Sequence, residues 1–264
     1  MNIIFLTVVA SLIGLCIGSF INVVVFRTKS KDPFWTGRSK CRTCLVPIVP
    51  RDLVPVISYF NLRGRCRSCK EVVAWQYPMV ELTVGVLFGL FFVRAAMFYG
   101  FPEFVDGTEW ALLFFRDAIL ACFLVVIFIY DFRYSYILDR FSIPAMIIAL
   151  LANLYLGADP LNLLLGGFLI GGFFAIQFIV SRGRWIGGGD IRMGMLMGFL
   201  LGVEQGLLAL FLAYILGSII GVILILAKKR KLDGHVPFGT FLAIATVITL
   251  FFGEDLLSWY LAFF

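Results

Sequence analysis

Charge is what this chain of 264 residues has least of: Asp, Glu, Lys and Arg make up 14% of it, and histidine occurs once. A soluble domain carries roughly 25% charged and about 45–50% apolar residues, whereas 61% of this chain is hydrophobic. That excess cannot be hidden in one aqueous core, which excludes a soluble globular protein. Low-complexity tracts and long linkers are also missing. No Gly-Lys-Ser/Thr follows the glycine-rich stretches, so a phosphate-binding loop is not expected.

What the chain does have is a series of apolar runs near the ~20 residues that cross a bilayer. They fall at Ile3–Phe26, Pro78–Met97, Ala111–Tyr130, Phe141–Leu156, Leu161–Val180, Ile186–Val203, Leu207–Ala227 and Pro237–Phe252. Each must be helical, because lipid offers backbone groups no partners. The fourth and sixth runs are short. The expected fold is an all-α polytopic membrane protein of about eight transmembrane helices.

The few charges are placed unevenly. Between the first two runs lie Arg27, Lys29, Lys31, Arg38, Lys40, Arg42, Arg51, Arg63, Arg65, Arg67 and Lys70. Arg133 and Arg140, Arg182 and Arg184, and Lys228–Lys231 then fall on every second connection. The positive-inside rule puts these connections in the cytoplasm and both termini outside. The net charge of +6 therefore needs no nucleic-acid partner. No basic residue precedes the first run, which is expected to be a retained helix rather than a signal peptide. The basic face of the loop Arg27–Lys70 is expected to meet anionic lipid headgroups. Residues 1–80 read as a first membrane helix plus a cytoplasmic module, and 81–264 as a polytopic core.

That module holds four of the six cysteines in a near-repeat, Ser39-Lys-Cys-Arg-Thr-Cys44 and Gly64-Arg-Cys-Arg-Ser-Cys69. On the reducing side of a membrane, structural disulfides rarely persist. Two Cys-x2-Cys knuckles about twenty residues apart are a four-thiolate zinc pattern, so Cys41, Cys44, Cys66 and Cys69 are the expected ligands. The flanking arginines favour thiolate. A metal staple would stabilise a module with too few apolar residues for a core. With four protein ligands the zinc is structural. A redox dithiol is the competing reading. Cys16 and Cys122 lie inside runs as small packing residues, and His235 falls in a solvated turn.

Carboxylates facing a membrane interior are functional candidates. Asp131 ends the third run and Asp190 opens the sixth, in Gly187-Gly-Gly-Asp-Ile-Arg192. Between them the chain goes out and returns, so both sit at similar depth near the cytoplasmic face. A two-carboxylate hydrolase needs that arrangement: the groups share a proton, one activates water, and the other protonates the leaving amine. Gly187, Gly188 and Gly189 would let a substrate strand approach the backbone. Pattern alone leaves a second reading open, with Asp190 a helix cap and Asp131 an interfacial charge beside Arg133. Asp139 reads as a supporting group at the start of the fourth run. Glu81 reads as a carboxylate pairing with a loop arginine. A proton-coupled carrier using the two aspartates as a relay is the rival function; it predicts repeats with interrupted helices in both halves, and one glycine-rich break of that kind is found.

Six motifs in order resemble those of the bacterial type IV prepilin peptidases, eight-span members of the GxGD aspartyl proteases. They are Gly18-Ser-Phe-Ile-Asn-Val-Val24 with Arg27, the tetracysteine loop with Asp52–Ser58, Tyr77-Pro-Met-Val-Glu81, Asp131–Asp139 with Pro144, Gly187–Arg192, and Pro237-Phe-Gly-Thr-Phe-Leu242. The resemblance implies that Asp131 and Asp190 are the catalytic pair. It also implies a bacterial inner-membrane location, and cleavage of a basic leader from prepilin or pseudopilin precursors after a glycine. Many members also N-methylate the new terminus from S-adenosylmethionine, for which the sequence shows no nucleotide-binding fold. The family usually has Arg at the position of Gln76, Pro at Leu138, Lys at Arg192 and Pro at Thr240. Arg192 keeps charge without Lys geometry, and Gln76 bears most on methylation.

Overall fold

The computed structural model describes residues 2–99, 109–227 and 237–262. His235 and Lys228–Lys231 lie outside the described residues. Regular structure among them is helical apart from two isolated β-bridges. The helices are α1 (Ile3–Ser30), α2 (Ile57–Asn61), α3 (Gln76–Tyr99), α4 (Glu109–Tyr134), α5 (Asp139–Tyr155), α6 (Pro160–Ser181), α7 (Gly188–Leu226) and α8 (Phe238–Leu261). Six of them are long and apolar enough to cross a membrane. The 17 residues of α5 span only about 25 Å, short of the ~30 Å hydrocarbon core.

The 39 residues of α7 would measure about 58 Å if straight, nearly twice that core. The helix is broken at Gly202, whose φ of 75° and ψ of −165° only glycine adopts readily. A Cβ on Gly206 would stand 3.7 Å from the Gly198 Cα, where a continuous helix would separate the two residues by about 12 Å. The chain therefore folds back on itself, and α7 supplies both the sixth and the seventh expected spans. Two asparagines on other helices satisfy the broken ends. Asn153 donates to the carbonyls of Phe199 and Leu200, each at 2.8 Å, and Asn162 Oδ1 accepts from the Val203 N–H at 3.0 Å. All eight expected spans are thus present as helices.

The chain forms two compact units, 1–126 and 127–264. The boundary falls inside α4, so α3 sides with α1. Small residues explain this pairing. Gly14 and Gly18 of α1 face α3 so closely that a Cβ on either would lie 2.7 Å from Val84 O or Glu81 Cα. Gly85 and Gly89 repeat the i,i+4 spacing on α3, against Leu15 and Ser11. Lipid provides no hydrophobic drive between helices, so such close backbone approach supplies the packing energy. In the second unit a Cβ on Gly198 would fall 2.1 Å from the Gly166 carbonyl carbon, joining α6 to α7 by the same device.

Candidate active site and metal centre

The near-repeat in the sequence is a repeat in the structure, offset by 25 residues. In the first knuckle Cys41 N–H donates to Val46 O, Leu45 N–H to Cys41 O and Ile48 N–H to Ser39 O; in the second Cys66, Lys70 and Val73 donate to Glu71, Cys66 and Gly64. Leu45 and Lys70 share the left-handed conformation, at φ 59° and 61°. An antiparallel bridge closes each knuckle, Lys40 with Pro47 and Arg65 with Val72.

The two turns bring Cys41, Cys44, Cys66 and Cys69 together with their sulfurs within 4.8 Å of one another. Cys41 Sγ and Cys69 Sγ stand 3.8 Å apart. Sulfurs bonded at ~2.3 Å to one tetrahedral ion are separated by about 3.8 Å, so the four fit a metal. The thiols are already differentiated. Backbone N–H groups of Cys44 and Thr43 bring Cys41 down to about 6. The Glu71 N–H pulls Cys69 the same way, but desolvation and the neighbouring sulfurs outweigh it and push Cys69 up to about 12. Crowded thiols resist joint ionisation, which a cation relieves.

Side chains anchor the module to its helices. Arg67 grips Asp52 with two bonds of 2.7 and 2.6 Å, holding its carboxyl below the usual range. Arg42 lies over the Phe26 ring, which stacks on Tyr77. Arg27 donates to the carbonyls of Pro33, Thr36, Gly37 and Arg38. Glu81 is buried, and the arginine expected beside it is replaced by a backbone donor, the Val56 N–H at 2.7 Å. Val56 has φ 62°, costly for a β-branched residue, and Ile57 N–H closes a γ-turn onto Pro55 O at 2.6 Å.

The pair of candidate carboxylates lies in the second unit. Asp131, in the last turn of α4, and Asp190, in the first turn of α7, are both buried, at 5% and 7% exposure. Ile137 lies between them: it meets the Cβ position of Gly189, next to Asp190, and that of Gly239, which stands 2.9 Å from Asp131 Oδ2. Backbone N–H groups hold both, Asp131 from Thr240 with Gly239 beside it. Thr240 N–H at the start of α8 donates to Asp131 Oδ2 at 3.0 Å, and Gly187 N–H donates to Asp190 Oδ2 at 3.0 Å. Asp190 is therefore the third residue of its helix reaching back to the cap, not the cap itself.

The segment between α4 and α5 supplies the spacer. Ile137 is buried, and its side chain fills the places where Cβ atoms of Gly189 and Gly239 would be, at 2.7 and 2.6 Å. Gly189 thus receives Ile137. Around Gly188 there is open space, and near Gly187 only Asp190 Oδ2 and the Gly189 backbone come within 4 Å. Asp139 begins α5 and pairs with Arg192 at 2.8 Å, while Arg192 also reaches Gly188 O. Sequence reasoning missed Ile137 and the Gly239–Thr240 donors. The motif Pro237–Leu242 was visible, but an N–H donor leaves no trace in a side-chain pattern.

Fold and site define a polytopic membrane protein with a pair of buried carboxylates in its second unit and, between its first two spans, four cysteines that could hold a metal ion. The chain belongs to the type IV leader peptidase family: residues 118–222 match the Type IV leader peptidase family model, and residues 12–95 match the Bacterial Peptidase A24 N-terminal domain. It is 30% identical to a prepilin leader peptidase/N-methyltransferase of Aeromonas hydrophila, over 96% of this chain and 93% of the relative. The corresponding protein of Pseudomonas aeruginosa is 28% identical over 96% and 92%. That of Vibrio cholerae is 32% identical over 69% and 72%. No solved structure matches the chain significantly. The family is one of peptidases, and nothing in these matches supports the carrier reading.

Proposed function

We propose that Asp131 and Asp190 are the catalytic pair of an inner-membrane aspartyl endopeptidase that removes the basic leader from prepilin-like precursors. The observation that carries this reading is the symmetry of the pair. Both carboxylates are buried, both flank Ile137, and each accepts on Oδ2 from a backbone N–H at a helix start. The other oxygen of each is left for a water and a substrate carbonyl. One proton is shared between them; the ionised group takes a proton from water as it attacks the scissile carbonyl. The protonated group hydrogen-bonds the carbonyl oxygen and passes its proton to the leaving amine. Gly188, with open space around it, is the place for a substrate strand to lie against backbone.

The relatives are named for prepilin leader cleavage, and one from Escherichia coli for prepilin-like proteins. The basic connections support a pair near the cytoplasmic face, both termini outside, and a basic module facing headgroups. Zinc is the ion that four thiolates suit; Cys41, Cys44, Cys66 and Cys69 would hold it, and it would cross-link the module rather than react. The relatives' name also carries N-methyl transfer. The described residues offer no strand–loop–helix cradle for S-adenosylmethionine, and no step is assigned to it. Incubating detergent-purified protein with a prepilin tests the peptidase reading. Asp131→Asn and Asp190→Asn each lower leader removal by about a hundredfold or more at unchanged folding; near-normal cleavage by either sinks it.

A further inference from the structure

The second knuckle is more than a copy of the first. Arg63, Arg65 and Lys70 line a groove of about 510 Å3 together with Leu62 and Cys66, and no carboxylate lines it. Of the two acids by this knuckle, Asp52 is taken by two nitrogens of Arg67, and Glu71 follows Lys70 in the turn without lining the groove. In the 25-residue offset, Arg63 corresponds to Arg38, Arg65 to Lys40 and Lys70 to Leu45. The third cation is thus peculiar to the second knuckle. It stands at φ 61°, a conformation in which a lysine has no advantage for the turn.

Beside this groove is an apolar edge. Tyr59 links the two: its hydroxyl donates to Val73 O at 3.1 Å, and a Cβ on Gly64 would lie 2.8 Å from its oxygen. The Tyr59 and Phe60 rings pack on Trp75, at 5.3 and 6.2 Å. Ile57, Phe60 and Trp75 nevertheless expose 61%, 55% and 62% of their surface. Trp75 immediately precedes the first residue of α3, a helix fit to cross a membrane. The edge is therefore held at the height where that helix leaves the lipid. Aromatic rings at that height with cations alongside are the composition of a membrane–water interface.

We propose that the Arg63–Arg65–Lys70 groove binds the phosphate of an anionic phospholipid, with Ile57, Phe60 and Trp75 seated in the same leaflet. The groove takes the charge and the edge takes the glycerol and upper acyl region. A lipid is the occupant that uses both halves, whereas a free anion uses only the groove. The module is thereby docked to the membrane through its second knuckle, and its first knuckle, with Leu45 in place of the third cation, does not share the site.

The test uses full-length protein carrying Trp35→Phe, Trp110→Phe, Trp185→Phe and Trp259→Phe, reconstituted in phosphatidylcholine nanodiscs with a minor fraction of phosphatidylglycerol. Bromine is placed on the upper acyl chain of one lipid or the other at equal mole fraction. Brominated phosphatidylglycerol quenches Trp75 more strongly, and Arg63→Gln/Arg65→Gln/Lys70→Gln removes the difference, lowering the preference about tenfold. Unchanged metal content shows that this variant is folded. If it loses its metal, 1 M salt applied to the parent protein takes its place and abolishes the preference. Equal quenching by the two lipids in the parent overturns the proposal. So does a preference that survives in the metal-loaded triple variant or in 1 M salt, or one erased by millimolar inorganic phosphate, which marks a free-anion site.

Discussion

The backbone N–H of Thr240 donates to Asp131 Oδ2 at 3.0 Å, joining the last turn of α4 to the first turn of α8 across 109 residues of sequence. First-turn N–H groups have no partner within their own helix, so α8 can give this one away without loss. The positive end of the helix also faces the carboxylate. Gly239 makes the approach possible, because a Cβ there would stand 2.9 Å from the same oxygen and 2.6 Å from Ile137 Cδ1.

Gly239→Ala therefore displaces Asp131 and lowers prepilin cleavage by about a hundredfold or more, with little loss of helix content. Thr240→Pro deletes the N–H donor together with the hydroxyl bond to Pro237 O, at a first-turn position that tolerates proline, and stays within about tenfold of the parent. Initial cleavage rates with thermal unfolding of each variant measure both. Equal rates for Gly239→Ala and the parent would contradict the geometry.

Gly188 and Gly189 are neighbours with opposite surroundings. A Cβ on Gly189 meets Ile137 Cβ at 2.7 Å, an atom that cannot swing away, whereas Gly188 has nothing within 4 Å. Gly189→Ala is expected to lower both stability and kcat, since it separates Asp190 from Ile137 by several tenths of an ångström. Gly188→Ala leaves the free enzyme unchanged in unfolding. A rise in KM for prepilin in that variant marks Gly188 as the substrate's approach; unchanged KM rejects it.

Metal removal separates the module from the membrane helices. Cys41→Ser/Cys44→Ser leaves two of the four sulfurs, and bound zinc measured by mass spectrometry falls to a trace. Limited proteolysis then cuts between residues 39 and 73 while the helical circular dichroism persists, because the spans are held by lipid and glycine packing rather than by the ion. Full metal content in the double variant would exclude the four-thiolate site.

Acid tests the Asp52–Arg67 pair. The Arg67 hydrogen bonds hold Asp52 below its usual range, so the folded module favours the carboxylate. Its contribution is complete above the unfolded value near 4 and is lost as pH falls through the lower folded one. Protease resistance of the loop should exceed that of Arg67→Gln by a constant margin at neutral pH, and the margin should close below about pH 4. Acid release of metal is common to both proteins and cancels in the difference. A margin that closes instead near neutral pH would assign the effect to another group.

Much of this was legible in the chain because lipid is an unforgiving solvent. Apolar runs had to be helices, and Cys41, Cys44, Cys66 and Cys69 carried their ligand geometry in their spacing. Asp131 and Asp190 stood out because carboxylates are rare in such surroundings. What the sequence hid was non-local. The partner of Glu81 is the N–H of Val56, a group every residue but proline owns. Ile137 looked like any apolar residue, yet it sets the spacing of Gly189 and Gly239.

The break in α7 shows the same limit and yields the last prediction. The apolar runs left a connection at 204–206, but the helix is broken at Gly202. The capping groups that shorten it, Asn153 and Asn162, belong to α5 and α6. Gly202→Ala adds a Cβ where Asn162 Nδ2 lies 2.8 Å away and forces a side chain into a region of backbone space that is nearly glycine-only, a cost of about 1–3 kcal/mol before the clash. Straightening is no escape, since a helix of 39 residues overruns the bilayer about twofold. Gly202→Ala should therefore lower the thermal midpoint of the purified protein markedly. Asn162→Ala, which frees the Val203 N–H, should lower it less, by roughly 1–3 kcal/mol of stability. A Gly202→Ala protein as stable as the parent would mean that the hairpin does not depend on that residue's backbone angles.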